Sequence, residues 1–326
     1  MADVTYAPRI ALTGATGFIG SRIARHLARQ GFRLRVLVRP SSEHRLSVEV
    51  PVEVCRGALA DERALQQLLD QADVLVHCAG LVRGLTQTEF DAVNVAGTQR
   101  LVQLAKQKDR PPRLVFISSL AAREPQLSPY ALSKYRAEQA IVELGQGLSW
   151  LILRPPAVYG PGDRELLPLL KVMARGILPI LGPKTGRFSL LFVDDLVRAV
   201  EKAVLSPEVA CQIFELHDGK LEGYSWDEIW AIAQNYRRGS VVCLQLPEWS
   251  LRALAQLNQW GSRLLGQTPM LTQGKVNELR HPNWVCDNAA VSKALDWQPK
   301  VQLAQGLKLT LSETQPKSTY SVRSQR

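Results

Sequence analysis

The 326-residue sequence predicts an α/β fold: a doubly wound parallel sheet joined to a smaller, discontinuous α/β lobe. Three observations carry this. Short apolar runs alternate with helical patterns through about residue 154, the order that builds parallel strands with crossover helices. An early run, Ile10-Ala11-Leu12, leads into a glycine-rich turn and then a helical stretch over 18–30. With 46% hydrophobic residues, the chain can bury a large core as one two-lobed unit.

The turn reads Gly14-Ala15-Thr16-Gly17-Phe18-Ile19-Gly20. A glycine triplet alone is weak, but between a strand and a helix it permits a tight turn and close approach of backbone to pyrophosphate. The helix N-terminus then offers unpaired N–H groups and partial positive charge to phosphates. The second strand, over 34–38, ends at Arg39 and meets no carboxylate before Glu43. A carboxylate there would bind the ribose 2′-hydroxyl of NAD, and an arginine accepts the 2′-phosphate of NADP. NADP(H) is therefore favoured over NAD(H), against the alternative that Arg39 is a solvated surface residue.

A later strand, over 114–117, delivers Ser118-Ser119 ahead of Tyr130-Ala131-Leu132-Ser133-Lys134. Residues four apart share a helix face, so Tyr130 and Lys134 are expected as neighbours on a helix opened by Pro129. An adjacent ammonium would lower the phenol from about 10 toward the working range, making a general acid/base. A hydroxyl at the carboxyl end of a parallel strand sits where open α/β sheets bind ligands.

These residues, in this order, resemble the extended short-chain dehydrogenase/reductases, also called the NAD-dependent epimerase/dehydratase family. The resemblance runs from about residue 8 to about 311 and adds further motifs. Val76-His77-Cys78-Ala79-Gly80 resembles the turn that passes under the cofactor, and Asn94-Val95-Ala96-Gly97-Thr98 the helix beside the active site. Arg154-Pro155-Pro156-Ala157-Val158-Tyr159-Gly160-Pro161-Gly162 resembles the segment along the nicotinamide, and Phe192-Val193-Asp194-Asp195 a strand-to-helix junction. The family fold is a Rossmann-type sheet. The resemblance implies an NAD(P)-binding Rossmann domain over 1–160 and 188–216, a substrate lobe over 161–187 and 217–311, and a tail over 312–326 whose polar composition predicts disorder.

Carried over by position, the resemblance implies Tyr130 as acid/base, Lys134 as its partner and a ribose ligand, and Ser119 as hydrogen-bond partner of the substrate oxygen. Ser119 is preferred to Ser118 as the second serine of the pair. Asn94 either supports this polar network or makes a helix-terminal hydrogen bond only. The implied cofactor contacts are Gly14, Thr16, Gly17, Phe18, Ile19, Gly20, Arg39, Leu59, Cys78, Ala79, Gly80, Tyr130, Lys134, Pro155 and Val158.

Two departures from the family pattern bear on ligands. Where relatives carry Gly-Asp-Leu the chain has Gly57-Ala58-Leu59, so an adenine contact is replaced by Leu59 and backbone. Where nucleotide-sugar enzymes present an asparagine the chain has Ala157, and Arg187 is displaced by one residue from its expected distance to Asp195. Both shift the resemblance toward the hydroxysteroid dehydrogenase and dihydroflavonol reductase-like branch. The leading expectation is an NAD(P)(H)-dependent oxidoreductase that interconverts a ketone and a secondary alcohol on a bulky, lipid-like substrate such as a 3-oxo long-chain lipid. The alternatives are a nucleotide-sugar epimerase/dehydratase and a non-catalytic scaffold with a bound dinucleotide.

Other features narrow the partners. The net charge of +10 can steer anionic ligands or favour anionic membranes, but no nucleic-acid recognition motif accompanies it. Five scattered cysteines lack metal spacing and read as reduced core thiols of a cytoplasmic protein; the five histidines form no ligand cluster, so no metal is expected. No signal peptide or membrane-spanning run is expected. Leu246, Trp249, Leu254, Leu257, Trp260 and Leu264 recur at helical spacing. That helix over 249–265 reads as core packing, a lid over an apolar substrate, or a peripheral membrane contact. The resemblance also implies a homodimer through a four-helix contact, for which the helix near Pro129 is the candidate.

Overall fold

The computed structural model describes residues 7–49, 51–265 and 268–312. Its centre is a seven-stranded, all-parallel sheet. The first six strands are β1 (Arg9–Thr13), β2 (Arg33–Val38), β3 (Glu53–Arg56), β4 (Val74–His77), β5 (Arg113–Ile117) and β6 (Trp150–Arg154); the seventh is Gln212–Glu215. Across the sheet they lie in the order Gln212–Glu215, β6, β5, β4, β1, β2, β3. The chain thus reverses its direction of travel between β1 and β4, and a crevice opens there at the carboxyl ends of the strands. Register brings Thr13 beside His77 at that point.

Strands covered on both faces read as continuous apolar runs, and β4 and β5 are buried throughout. On one face, helices Phe18–Arg29 and Val193–Leu205 pack through Ile23, Leu27, Leu196 and Val200. On the other, helices Glu62–Leu69, Ala96–Lys106 and Pro129–Leu144 pack through Leu65, Leu101 and Ile141.

A second core gathers Tyr159, Met173, Leu178, Phe192, Ile229 and Leu307 beyond the crevice. Its sheets are short: Ile177–Ile180 pairs in parallel with Val242–Gln245, and Arg187–Phe188 lies between Tyr224–Ser225 and Asn283–Trp284. The fully buried Asp195 carboxylate accepts from the Lys300 and Val301 backbone N–H groups at 2.8 and 3.0 Å. It ties the C-terminal segment to the helix that begins at Val193.

Two expectations change, and a third is narrowed. Ser312 closes the last helix, Leu303–Ser312, and the rest of the expected tail lies outside the described residues. The cysteines are not all core thiols, because Cys211 and Cys243 are exposed. Cys211 occupies a left-handed turn at φ 55°, and Cys243 lies on a strand exposed at all four positions. The helix Glu248–Leu265 buries Leu251 and Ala255 but leaves Trp249 74%, Leu257 71% and Trp260 72% exposed. Core packing therefore accounts for only one of its faces.

Candidate active site

The glycine turn is shaped by what it excludes. Gly14 has φ +83°, and a Cβ added to it would sit 2.7 Å from the Ala79 nitrogen. A Cβ on Gly20 would lie 2.1 Å from the Gly14 carbonyl oxygen. Gly17 precedes the Phe18–Arg29 helix and gives it no side-chain cap, so its first N–H groups face the crevice. A backbone cradle at a helix N-terminus fits the pyrophosphate of a dinucleotide.

Thr16, Phe18, Ile19, Cys78, Gly80, Pro155 and Val158 all line the same cleft of about 1930 Å³. Ala79 is fixed beside it by its N–H, which donates to Thr13 Oγ1 at 3.1 Å. Leu59 packs on Gly97, where an added Cβ would approach its Cδ1 to 2.9 Å. Arg39 is exposed at the end of β2, whereas Arg25, Arg45 and Ser47 line the cleft. The basic character expected of Arg39 alone is thus shared with two arginines that the spacing did not single out.

At the other end of the cleft the two serines divide. Ser118 is buried, and its hydroxyl donates to the fully buried Glu138, which also receives Arg154 Nη2 at 2.5 Å and Nε at 3.0 Å. Ser119 lines the cleft with Tyr130, its hydroxyl accepting from the Ala121 N–H at 3.2 Å. Ser128 caps the Pro129–Leu144 helix, accepting from the Ala131 N–H at 2.9 Å, so Tyr130 stands in its first turn against Phe90.

Lys134 lies one turn further along, buried, with Nζ donating to the Ile117 carbonyl at 2.8 Å and lying 4.4 Å from the Phe116 ring centroid. Burial pushes this ammonium down to about 8, opposed by Cys78 and Glu138. The expected lowering of the phenol is not observed. Desolvation in the cleft raises Tyr130 above its ordinary value, and the nearby Ser119 hydroxyl opposes that rise. Tyr130 is therefore a neutral phenol at neutral pH.

Asn94 sits in a π-helical turn, Asp91–Val95, a local widening frequent at functional sites. Its Nδ2 donates to Ser133 Oγ at 2.8 Å and to the Leu81 carbonyl at 3.0 Å, and its Oδ1 accepts from the Leu81 N–H at 2.6 Å. The network goes beyond a helix-terminal bond. Ser133 in turn donates to the Tyr130 carbonyl, and Thr98 Oγ1 to the Asn94 carbonyl at 2.6 Å.

His77, which the sequence singled out only as part of a turn, completes this network. Its Nδ1 lies 2.7 Å from Thr13 Oγ1 and its Nε2 3.0 Å from Thr98 Oγ1. Because the Thr98 hydroxyl already donates, the network assigns the proton to Nε2 and leaves Nδ1 as acceptor. Burial, with the Lys134 charge adding to it, pushes His77 down to about 3. The sequence also gave no signal for Lys275 and Glu278, which reach the Tyr130 end of the cleft from the C-terminal lobe.

From the second core, Leu166, Leu170, Met173, Leu178 and Ile229 also line the cleft. Ala157 is exposed toward it. Arg187 Nε donates to the Glu222 carbonyl at 2.7 Å, and Nη2 pairs with Glu222 and Glu228 at 3.3 and 3.6 Å. Among the described residues there is no cluster that could hold a metal ion, and no helix is long and apolar enough to cross a membrane.

Comparison with known proteins agrees with this geometry. The NAD dependent epimerase/dehydratase family matches residues 10–214. A ceramide reductase of Caulobacter vibrioides is 37% identical over 289 residues, covering 88% of each chain. A UDP-glucose 4-epimerase of Vibrio cholerae is 27% identical, covering 93% of this chain and 96% of its own. The solved structure of MoeE5 in complex with UDP-glucuronic acid and NAD superposes with a TM-score of 0.72 at 22% identity, covering 94% of this chain and 98% of that one. The glycine cradle, the Ser119–Tyr130 pair and the family match lead to one conclusion: the chain belongs to the NAD dependent epimerase/dehydratase family, as an NAD(P)-dependent oxidoreductase of the extended short-chain dehydrogenase/reductase type.

Proposed function

We propose that the protein reduces a ketone to a secondary alcohol on a long-chain, ceramide-type 3-oxo lipid, with NADPH as the preferred reductant. The observation that carries this reading is the apolar wall of the cleft, formed by Leu166, Leu170, Met173, Leu178 and Ile229, which suits an alkyl chain and not a sugar diphosphate. Arg187, already engaged by Glu222 and Glu228, is a poor candidate for a diphosphate. The extensive similarity to the Caulobacter ceramide reductase supports the substrate class.

NADPH held at the glycine cradle would supply a hydride to the carbonyl carbon and become NADP+. Ser119 donates a hydrogen bond to the substrate carbonyl oxygen and so polarises it. Tyr130, protonated at neutral pH because burial raises it, gives its proton to that oxygen. Lys134, anchored on the Ile117 carbonyl, holds the cofactor ribose and offsets the phenolate that remains. Asn94 and Ser133 keep the helix backbone at Tyr130 in place. Arg39, Arg45 and Arg25 favour the 2′-phosphate of NADPH. The exposed Trp249–Trp260 face of the Glu248–Leu265 helix rests on the lipid surface that holds the substrate.

The test is cofactor consumption by the purified protein against long-chain 3-oxo amide lipids and against nucleotide sugars, with product masses for both. The expected result is lipid-dependent oxidation of NADPH, faster than of NADH, with a gain of two hydrogens in the product. A sugar isomerised or dehydrated without net cofactor loss would replace this reading with the epimerase one.

A further inference from the structure

The C-terminal lobe brings a second ammonium to the reacting end of the cleft, and its position is fixed from three sides. The helix Gln273–Arg280 starts at a Thr272 cap. Its Gly274 lies so close to Ser128 that an added Cβ would sit 2.7 Å from the Ser128 Cβ. Asn277 Nδ2 donates to the Leu127 carbonyl at 3.0 Å. The buried Glu278 accepts from the Ser128 hydroxyl through one oxygen and from Lys275 Nζ through the other at 2.9 Å. Ser128 is the residue that caps the helix carrying Tyr130. Lys275 therefore lines the same cleft as Tyr130, on a helix tied through Glu278 and Ser128 to the one that carries the phenol.

Charge decides what this ammonium can receive. Lys275 is not a bare cation, since Glu278 neutralises it. Arg83, also lining the cleft, is neutralised by Glu165 at 2.7 Å. A phosphate brought to Lys275 would meet the carboxylates of Glu278 and Glu165 as well. A neutral acceptor meets no such penalty, because an ammonium has three N–H donors and the Glu278 hydrogen bond uses one.

We propose that Lys275, held by Glu278, is a specificity-determining residue that donates a hydrogen bond to a neutral amide or hydroxyl head group adjoining the reacting carbonyl. The alkyl chain then runs along the wall of Leu166, Leu170, Met173 and Leu178. This assignment rests on the ketone-reductase reading of the site.

The experiment compares wild type, Lys275→Met and Lys275→Arg on three ketones of equal chain length: one with the amide and hydroxyl head, one with no polar head, and one with a phosphorylated head. Wild type is expected to prefer the neutral-headed ketone. Lys275→Met is expected to raise KM for that ketone by about tenfold while KM for the headless ketone holds, any change in kcat being shared by both. Lys275→Arg restores part of the loss. Equal rises in KM on the headed and headless ketones would overturn the proposal and assign Lys275 to the phenol or the fold. So would a wild-type preference for the phosphorylated ketone. If wild type reduces none of the three, the reductase reading itself fails, and the proposal with it.

Discussion

The two ends of the cleft are built from different material. The dinucleotide end is made chiefly of backbone, with glycines that exclude a methyl group and a helix terminus without a side-chain cap, backed by a buried polar chain from Thr13 through His77 and Thr98 to Asn94 that satisfies itself. The substrate end is made of side chains drawn from distant segments, apolar along one wall and charge-paired near Tyr130. Steric exclusion specifies the first end, and little can be exchanged there. Composition specifies the second, so it can be retuned without disturbing the cofactor.

The largest test of this division is Tyr130→Phe. Removing the proposed proton donor should lower kcat by about 10²–10⁴-fold. The ring and its contact with Phe90 are retained, so dinucleotide affinity and melting temperature should hold. Unchanged turnover would mean that the acid lies elsewhere, and the comparison of the two ends would lose its chemical basis.

A smaller effect is expected in the buried chain. His77 ordinarily titrates near 6.5 but is pushed down to about 3 in the fold. Between those values the unfolded chain holds a proton that the folded one lacks, so stability is lost as pH falls through that window. His77→Gln removes the titration, and its melting temperature should fall less steeply over this range, even if it starts lower. An acid limb as steep as that of wild type would place the sensitivity in other groups.

The smallest effect on the fold is expected at the other end. The exposed Trp249→Ser and Trp260→Ser changes should leave stability within about 0.5 kcal/mol. Their flotation with anionic liposomes should nevertheless drop. Equal flotation of the double variant and wild type would remove the membrane contact from the proposal.

What the sequence made legible follows the same division. The glycine turn occupies seven consecutive residues, and Ser119 and Tyr130 lie eleven apart, so local spacing carries the chemistry. The strand expected over 114–117 runs from Arg113 to Ile117, a difference of one residue. Helical spacing places Tyr130 and Lys134 along one face, but it is blind to the direction a long side chain takes. The Ile117 carbonyl and the Phe116 ring capture the Lys134 ammonium, and burial reverses the expected shift of the phenol. His77 read as part of a turn because its partners, Thr13 and Thr98, are 64 and 21 residues away. Glu278 meets Ser128 across 150 residues, a pairing that exists only in the folded chain.

That last contact has a consequence for protein engineering. Ser128 uses one hydroxyl to start the helix that presents Tyr130 and to hold Glu278 of the C-terminal lobe. That one hydroxyl couples the start of the helix to the C-terminal lobe, beside the Asn277–Leu127 hydrogen bond. A chimera that borrows a C-terminal lobe from a relative must bring a matching acceptor to that hydroxyl, and a small residue where Gly274 packs. Without them the graft would misplace Tyr130, however well its own pocket fits the new substrate.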